Sequence, residues 1–170
     1  MLRGSLTVSA QPAASKEYQV KAVFLFNFAQ FVGWPRSAFA AADTPLVIGV
    51  LGENPFGAYL DDAVRGEKVD DRRLEIRHYR RVEDLKACQL LFISRSEADR
   101  LETILASLKD RSILIVGDID DFVRRGGMVQ LATAQNKIRL IINNDAAKAA
   151  NLTISSQLLR SAEIVAPSKK

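Results

Sequence analysis

Residues 45–57, PLVIGVLGENPFG, decide the fold of this 170-residue chain. The run Leu46–Leu51 is apolar throughout and contains β-branched residues, which is typical of a strand buried on both faces of a parallel sheet. Gly52 then turns the chain, Asn54 is a residue that caps helices, and Pro55 suits a first helical turn. The stretch therefore predicts a buried strand that leads into a helix.

Two later runs repeat this pattern, LLFIS at 90–94 and ILIVG at 113–117, while 74–79 alternates between apolar and charged residues. We expect parallel strands at 46–51, 74–79, 90–93 and 113–116, in the spatial order 2-1-3-4, with a hairpin over 128–142 beyond the fourth strand. This pattern predicts a single-domain α/β fold, a Rossmann-like three-layer sandwich whose mainly parallel sheet is extended by a C-terminal antiparallel hairpin.

Length and composition indicate one soluble globular domain. Apolar residues make up 48% of the chain and charged residues 26%, and the net charge of +4 does not require a nucleic-acid partner. We assign the domain to 17–166 and a tail to 167–170. Residues 1–16 are small and polar and read as a disordered leader or a signal-peptide remnant, although their apolar part is too short for a complete signal peptide.

The first predicted helix covers 17–32 and is apolar almost all round. Its broad apolar face comprises Val20, Val23, Phe24, Phe28, Phe31 and Val32, and its polar surface is mainly Lys21, Asn27 and Gln30. Such a helix is either buried in the core or packed against a partner. The last predicted helix covers 154–164, with Ile154, Leu158, Leu159 and Ala162 on its inner face.

Residues with chemical potential are few. The turn at 52–57 lacks the spacing of a dinucleotide or P-loop motif. Asp118, which is near Asp120 and Asp121, is expected to cap a short helix that ends at 126–127, with a Mg²⁺ or acid role as the alternative. Cys88 and His78 are each the only residue of their type, so the chain has no intrachain disulfide. We therefore predict no catalytic, cofactor-binding or metal-binding residues.

The densest basic stretch surrounds His78 and contains Arg72, Arg73, Arg77, Arg80 and Arg81. Because Leu74 and Ile76 are interleaved with it, the stretch indicates a charged strand near a sheet edge. A basic docking patch for a protein, a lipid or a nucleic acid is the alternative, although no nucleic-acid-binding motif accompanies it.

Several segments together resemble the YfiR family, in this order: YQVKAVFLFNFAQFVGWP, IGVLGENPFG, LLFIS, VGD, GGM and NNDAAKAANLTISSQLL. The resemblance runs from about residue 18 to 165. It implies a periplasmic, non-enzymatic α/β protein that binds and represses the periplasmic domain of an inner-membrane signalling protein, typically a diguanylate cyclase, and so lowers cyclic di-GMP and biofilm formation. Members with structural disulfides use several cysteines, whereas this chain has only Cys88.

An inhibitor of a membrane sensor must expose apolar anchors. Two surfaces are candidates, one around Phe28, Phe31 and Trp34, and one around Leu159, Glu163 and Ile164. We expect one to form a homodimer and the other to contact the membrane partner, unless both helices simply pack on the sheet. The alternative function is a small-ligand-binding sensor that uses the crevice at the carboxyl ends of the strands, with an unknown ligand.

Overall fold

The computed structural model describes residues 13–165. The predicted tail and most of the predicted leader lie outside this range, and the proposed domain limits remain predictions. The first helix, α1, covers Ala13–Phe31 and thus begins inside the segment that was predicted to be a leader. No helix among the described residues is long and apolar enough to cross a membrane.

An eight-stranded sheet forms the centre of the protein, and its strands lie in the order β10 (Glu163–Ile164), β8 (Lys137–Ile142), β7 (Val129–Ala134), β6 (Leu114–Gly117), β5 (Leu90–Ile93), β2 (Leu46–Leu51), β4 (Arg72–Tyr79) and β3 (Lys68–Val69). Its four parallel core strands are β2 (Leu46–Leu51), β4 (Arg72–Tyr79), β5 (Leu90–Ile93) and β6 (Leu114–Gly117). β2 pairs in parallel with both β4 and β5, and β5 pairs in parallel with β6. The predicted order 2-1-3-4 is confirmed.

The predicted hairpin is confirmed as well. It consists of β7 (Val129–Ala134) and β8 (Lys137–Ile142), which pair antiparallel, and β7 lies parallel to β6. Every residue of β2, β5 and β6 is buried, so both faces of the central sheet are covered. This accounts for the continuous apolar runs of these strands, which have no solvent-facing side.

Four two-residue strands were not predicted: β1 (Val32–Gly33), β3 (Lys68–Val69), β9 (Thr153–Ile154) and β10 (Glu163–Ile164). β3 and β10 form the two edges of the large sheet, and β1 pairs with β9 in a separate small sheet. Strands of this length carry no detectable periodicity, and β1, β9 and β10 exist only because segments distant in the chain pair with them, whereas β3 pairs with the start of the neighbouring β4.

The predicted last helix over 154–164 is wrong. Only α5 (Ser156–Arg160) is helical, capped by the Ser155 hydroxyl, which accepts from the Leu158 amide at 3.2 Å. Its flanks pair with strands instead, Ile154 with Val32 and Ile164 with Ile142. The apolar spacing that suggested one long helix serves three separate elements.

The remaining helices are short. They are α2 (Tyr59–Val64), α3 (Leu101–Ser107) and α4 (Asn144–Ala149), and 3-10 turns cover Arg36–Ala38, Val82–Asp84 and Arg95–Arg100. The predicted start of α2 at Asn54 is wrong, because the Asn54 side chain forms a local turn by accepting from the Phe56 amide at 3.0 Å. Asn143 caps α4, since its Oδ1 accepts from the Ala146 amide at 3.0 Å.

The orientation of α1 differs from the prediction. Lys21, predicted on its polar surface, is completely buried beside Ala22 and Leu25, whereas Val20 and Val23 are 47% and 49% exposed. The helix begins near the carboxyl ends of the parallel strands, where Lys21 reaches Asp118. Trp34 follows the end of α1 and lies at the opposite edge, where the parallel strands begin. Its indole N–H donates to the carbonyl of Gln89, just before β5, at 2.8 Å.

Truncating the central strand tests this architecture. Leu51 is fully buried in β2, so Leu51→Ala should lower the free energy of unfolding by about 2–5 kcal/mol. The exposed Val23→Ala is the matched control and should change it by no more than about 0.5 kcal/mol. Chemical denaturation measures both, and equal losses in the two variants would show that β2 is not the centre of the core.

Candidate functional site: a buried ion-pair cluster at the strand ends

Ligands of open α/β sheets bind in the crevice at the carboxyl ends of the strands, where the strand order reverses. Here that point lies between β2 and β5, and the chain fills it with its own side chains. The Ser96 hydroxyl accepts from the Glu53 amide at 2.9 Å and joins the two loops. Gly52 has a φ of +95°, and a Cβ there would lie 2.5 Å from Ser96 Oγ, so the closed turn requires glycine.

Three aromatic rings fill the space between this crevice and α1. Phe92 of β5 meets Phe56 edge-on with ring centroids 4.9 Å apart, and Phe56 meets Tyr18 of α1 at 5.5 Å. Beside Tyr18 an open groove of about 640 Å³ remains, lined mainly by apolar side chains of residues 55–59. The groove is open to solvent at this edge of the sheet.

A cluster of charged side chains lies under the first turns of α1. Lys21 Nζ is 2.8 Å from Asp118 Oδ2 and also contacts Glu17, one turn earlier on the helix. The Tyr18 hydroxyl donates to the same Asp118 oxygen at 2.6 Å. Lys21 and the Asp118 side chain are completely buried, so each charge depends on the other for compensation.

Two further side chains complete this cluster, which we call the α1 anchor: Glu17, Tyr18, Lys21, Arg95, Asp118 and Thr133. The half-exposed Arg95 guanidinium lies 3.6 Å from Asp118 Oδ2 and 3.7 Å from Glu17 Oε1. Thr133 of β7 donates to Glu17 Oε1 at 2.6 Å. Two cations thus face two carboxylates, and the anchor joins α1 to the ends of β5, β6 and β7.

The turn at 118–127 places Asp118 in this position. The Phe122 ring is fully buried and packs over two glycines, since a Cβ at Gly117 or Gly127 would lie 2.6 Å or 2.2 Å from it. Only glycine at both positions lets the chain fold back so tightly after β6. The carboxylate that follows β6 is therefore directed under α1.

The electrostatics of the α1 anchor favour fixed charges. Burial raises the pKa of Tyr18, and its hydrogen bond to Asp118 raises it further. For Glu17, partial burial raises the pKa, but hydrogen bonds from Lys21 and Thr133 outweigh it and hold the pKa below its usual range. Both shifts move the groups away from neutral pH, the reverse of the tuning expected of a general acid or base.

The predicted capping role of Asp118 is wrong, because 118–126 forms turns and no helix. Its Oδ2 serves the ion pair, and its Oδ1 is buried without a hydrogen-bond partner. Asp120 and Asp121 are exposed and do not converge on it. Within residues 13–165, no three His, Cys, Asp or Glu side chains are grouped as metal ligands. The sequence feature that could have indicated the ion-pairing role of Asp118 was Lys21, an isolated cation in an apolar helix.

The basic stretch around His78 is a charged strand beside the sheet edge, as the first of its two interpretations predicted. Arg72 donates to the Thr44 carbonyl at 2.7 Å and stacks on Phe39, and Arg77 pairs with Glu75 at 2.9 Å. Between residues 61 and 86 eight acidic residues balance eight Lys and Arg. The local field is accordingly weaker than the run of arginines suggested.

The predicted interface residues fall into different environments. Phe28 is fully buried, so it belongs to the core and not to a surface. Phe31, Trp34 and Leu159 are half-buried. Glu163 is exposed and pairs with Arg139. Ile164 is 48% exposed.

The structure also joins the two predicted surfaces. The Ser155 amide donates to the Phe31 carbonyl at 2.9 Å, so the end of α1 lies beside the start of α5. Sequence reasoning missed Val20 and Val23, the two exposed large apolar residues of α1. It placed them on the broad apolar face of α1 and left open whether the helix is buried in the core or packed against a partner.

Cys88 is a buried free thiol. Burial raises its pKa to about 12, and its Sγ lies 3.1 Å from the Leu90 carbonyl. Because thiolate is the reactive form, we expect Cys88 to resist thiol reagents at pH 8 in the folded protein and to react quickly in denaturant. Rapid labelling of the native protein would contradict this placement.

The buried ion pair yields a second prediction. Lys21→Met leaves Asp118 buried without its cation and should lower the free energy of unfolding by about 3–5 kcal/mol. Lys16→Met, at an exposed position of the same helix, is the control and should change it little. Equal denaturation midpoints for the two variants would show that Lys21 is not buried in solution.

Comparisons with known proteins agree with the fold and add a family. A search of curated proteins found no significant match. Among solved structures, a conserved domain protein from Vibrio cholerae O1 biovar El Tor matches with a TM-score of 0.53 and 14% identity, which supports the fold alone. The match covers 90% of this chain and 60% of the length of that protein.

The profile of the family described as DUF4154, YfiR/HmsC-like, matches residues 18–163. The matched range begins at Tyr18 of the α1 anchor and ends at Glu163 of β10. It therefore includes the whole sheet and the elements that hold α1 on it. The chain belongs to the YfiR/HmsC-like family, whose members are periplasmic, non-catalytic regulators of diguanylate cyclase signalling that act with membrane proteins.

Proposed function

We propose that this chain is a periplasmic regulator that binds the periplasmic domain of an inner-membrane diguanylate cyclase and represses it, thereby lowering cyclic di-GMP and biofilm formation. Membership of the YfiR/HmsC-like family over residues 18–163 is the observation that carries the proposal. The filled crevice between β2 and β5 supports it, because the usual ligand position of the fold is occupied by Ser96 and neighbouring side chains.

The partner surface is proposed to lie on α1 and on the C-terminal elements. Val20, Val23 and Ile164 are the exposed large apolar residues of the described chain. Phe31, Trp34, Leu159 and Glu163 lie in the same segments of the chain, and partly exposed aromatic residues together with charged ones are typical of interfaces. One part of this surface would form a homodimer and the other would contact the cyclase.

Substitution with aspartate tests the surface. Val23→Asp and Ile164→Asp should each weaken binding to the periplasmic domain of the cognate cyclase about thirtyfold, because an interface anchor typically contributes about 2 kcal/mol. Both positions are half-exposed, so the fold should tolerate the charge. Thr103→Asp, at an exposed position of α3, is the control and should bind normally.

The measurements are titration calorimetry for binding, cyclase activity in membranes for repression, and sedimentation for self-association. Normal repression by both aspartate variants would refute the proposed surface. Absence of binding by the unsubstituted protein to any cyclase encoded with it would refute the function itself. Thermal unfolding of each variant separates a lost contact from a lost fold.

A small-ligand sensor is the second candidate, favoured by the apolar groove of about 640 Å³ beside Tyr18. Tyr59→Asp would place a charge on its lining and should abolish ligand-dependent thermal stabilisation without weakening cyclase binding. A compound screen that finds no thermal shift in the unsubstituted protein would remove this candidate.

A further inference from the structure

The apolar residues of α1 do not define a single face. Between residues 20 and 32 the polar side chains are Lys21, Asn27 and Gln30, and apolar side chains occur on every side. The apolar pattern of this stretch therefore favours one rotation of the helix only weakly, and hydrophobic burial is not directional. An interaction that is satisfied in one rotation only would fix the choice.

We propose that Lys21 is a positioning residue, which sets the rotation of α1 on the sheet through its buried ion pair with Asp118. Neighbouring residues of a helix point about 100° apart, so a turn of α1 by one residue would remove the Lys21 ammonium from the Asp118 carboxylate. The buried Asp118 carboxylate would then keep only the half-exposed Arg95, 3.6 Å away, as its cation, which is unfavourable. A single buried polar residue fixes register in coiled coils for the same reason.

Three contacts within about one turn of α1 define this position. Tyr18 and Lys21, three residues apart, both donate to Asp118 Oδ2, at 2.6 Å and 2.8 Å. Glu17, on the same side of the helix, is bound by Thr133 of β7 at 2.6 Å. These contacts reach two different strand ends, so together they fix the height of α1 along the sheet as well as its rotation.

The rotation decides which apolar side chains the protein presents. In the observed one, Ala22, Leu25 and Phe28 are buried, and Val20 and Val23 face outward. If the outward face of α1 contacts the cyclase, a consequence that rests on the proposed function, the α1 anchor also shapes the partner surface. The positioning role itself concerns the isolated chain and is tested without any partner.

The test compares two adjacent positions of α1, one buried and one exposed. Ala22→Cys places a thiol on the buried side and Val23→Cys places one on the exposed side. Each is made in the natural sequence and in the Lys21→Met/Asp118→Leu background, which removes both charges and leaves apolar side chains of similar size. The unsubstituted chain, with the buried Cys88 alone, serves as the blank for thiol labelling.

In the natural sequence the Val23→Cys thiol should label at least about tenfold faster than the Ala22→Cys thiol, because a buried site reacts only through opening. In the charge-free background the protein should unfold cooperatively at a similar denaturant midpoint, since apolar replacement of a buried ion pair is often neutral. The labelling ratio should fall there to about threefold or less, as α1 samples other rotations. Tyr18→Phe, which loses one contact and buries no lone charge, should lower the ratio part of the way.

A purely stabilising ion pair would not change this ratio. An unchanged ratio in the folded charge-free protein would therefore overturn the proposal. Loss of the cooperative unfolding transition in that background would overturn it too, because the pair would then be needed for the fold itself. An unchanged ratio in Tyr18→Phe would show that Tyr18 takes no part in positioning.

Discussion

The buried contact between Lys21 and Asp118 is the interaction on which the docking of the longest helix depends. Two charges without access to water are expensive to desolvate, and they are compensated here by each other, by the Tyr18 hydroxyl and by Glu17. All of these partners lie at the carboxyl ends of the parallel strands or on the first turns of α1. The sheet supplies one charge and the helix supplies the other, so neither element is satisfied without its neighbour.

The opposite end of α1 is held by neutral hydrogen bonds. The Trp34 indole donates to the Gln89 carbonyl at 2.8 Å, and the buried Gln89 side chain accepts from the Val47 amide at 2.7 Å and donates to the Ala38 carbonyl at 2.8 Å. One glutamine thereby connects the amino ends of β2 and β5 with the segment that follows α1. Paired polar groups of this kind rigidify a core, because any change of packing leaves one of them unsatisfied.

This architecture suits a protein that works through its surface. The strand-end position where related folds hold cofactors is filled by a serine bridge and three aromatic rings, and the pKa shifts of Glu17 and Tyr18 move both groups away from titration at neutral pH. The charged strand β4 is balanced by acidic neighbours. Of the residues that the structure describes, the large apolar side chains that stay exposed are the valines of α1 and the isoleucine of β10, in keeping with a family of regulators that act with membrane proteins.

The sequence by itself determined the four parallel core strands, their order and the hairpin, because a strand buried on both faces requires an unbroken apolar run such as Leu46–Leu51. The family was also evident from the order of its segments, and the match over 18–163 confirms it. Only the tertiary structure decided the rotation of α1, the role of Asp118 and the division of 154–164 into β9, α5 and β10. Each of these depends on a partner distant in the chain, such as Asp118 for Lys21 or Ile142 for Ile164. Local periodicity reports how apolar a segment is, whereas the face that is buried is set by what lies across the interface.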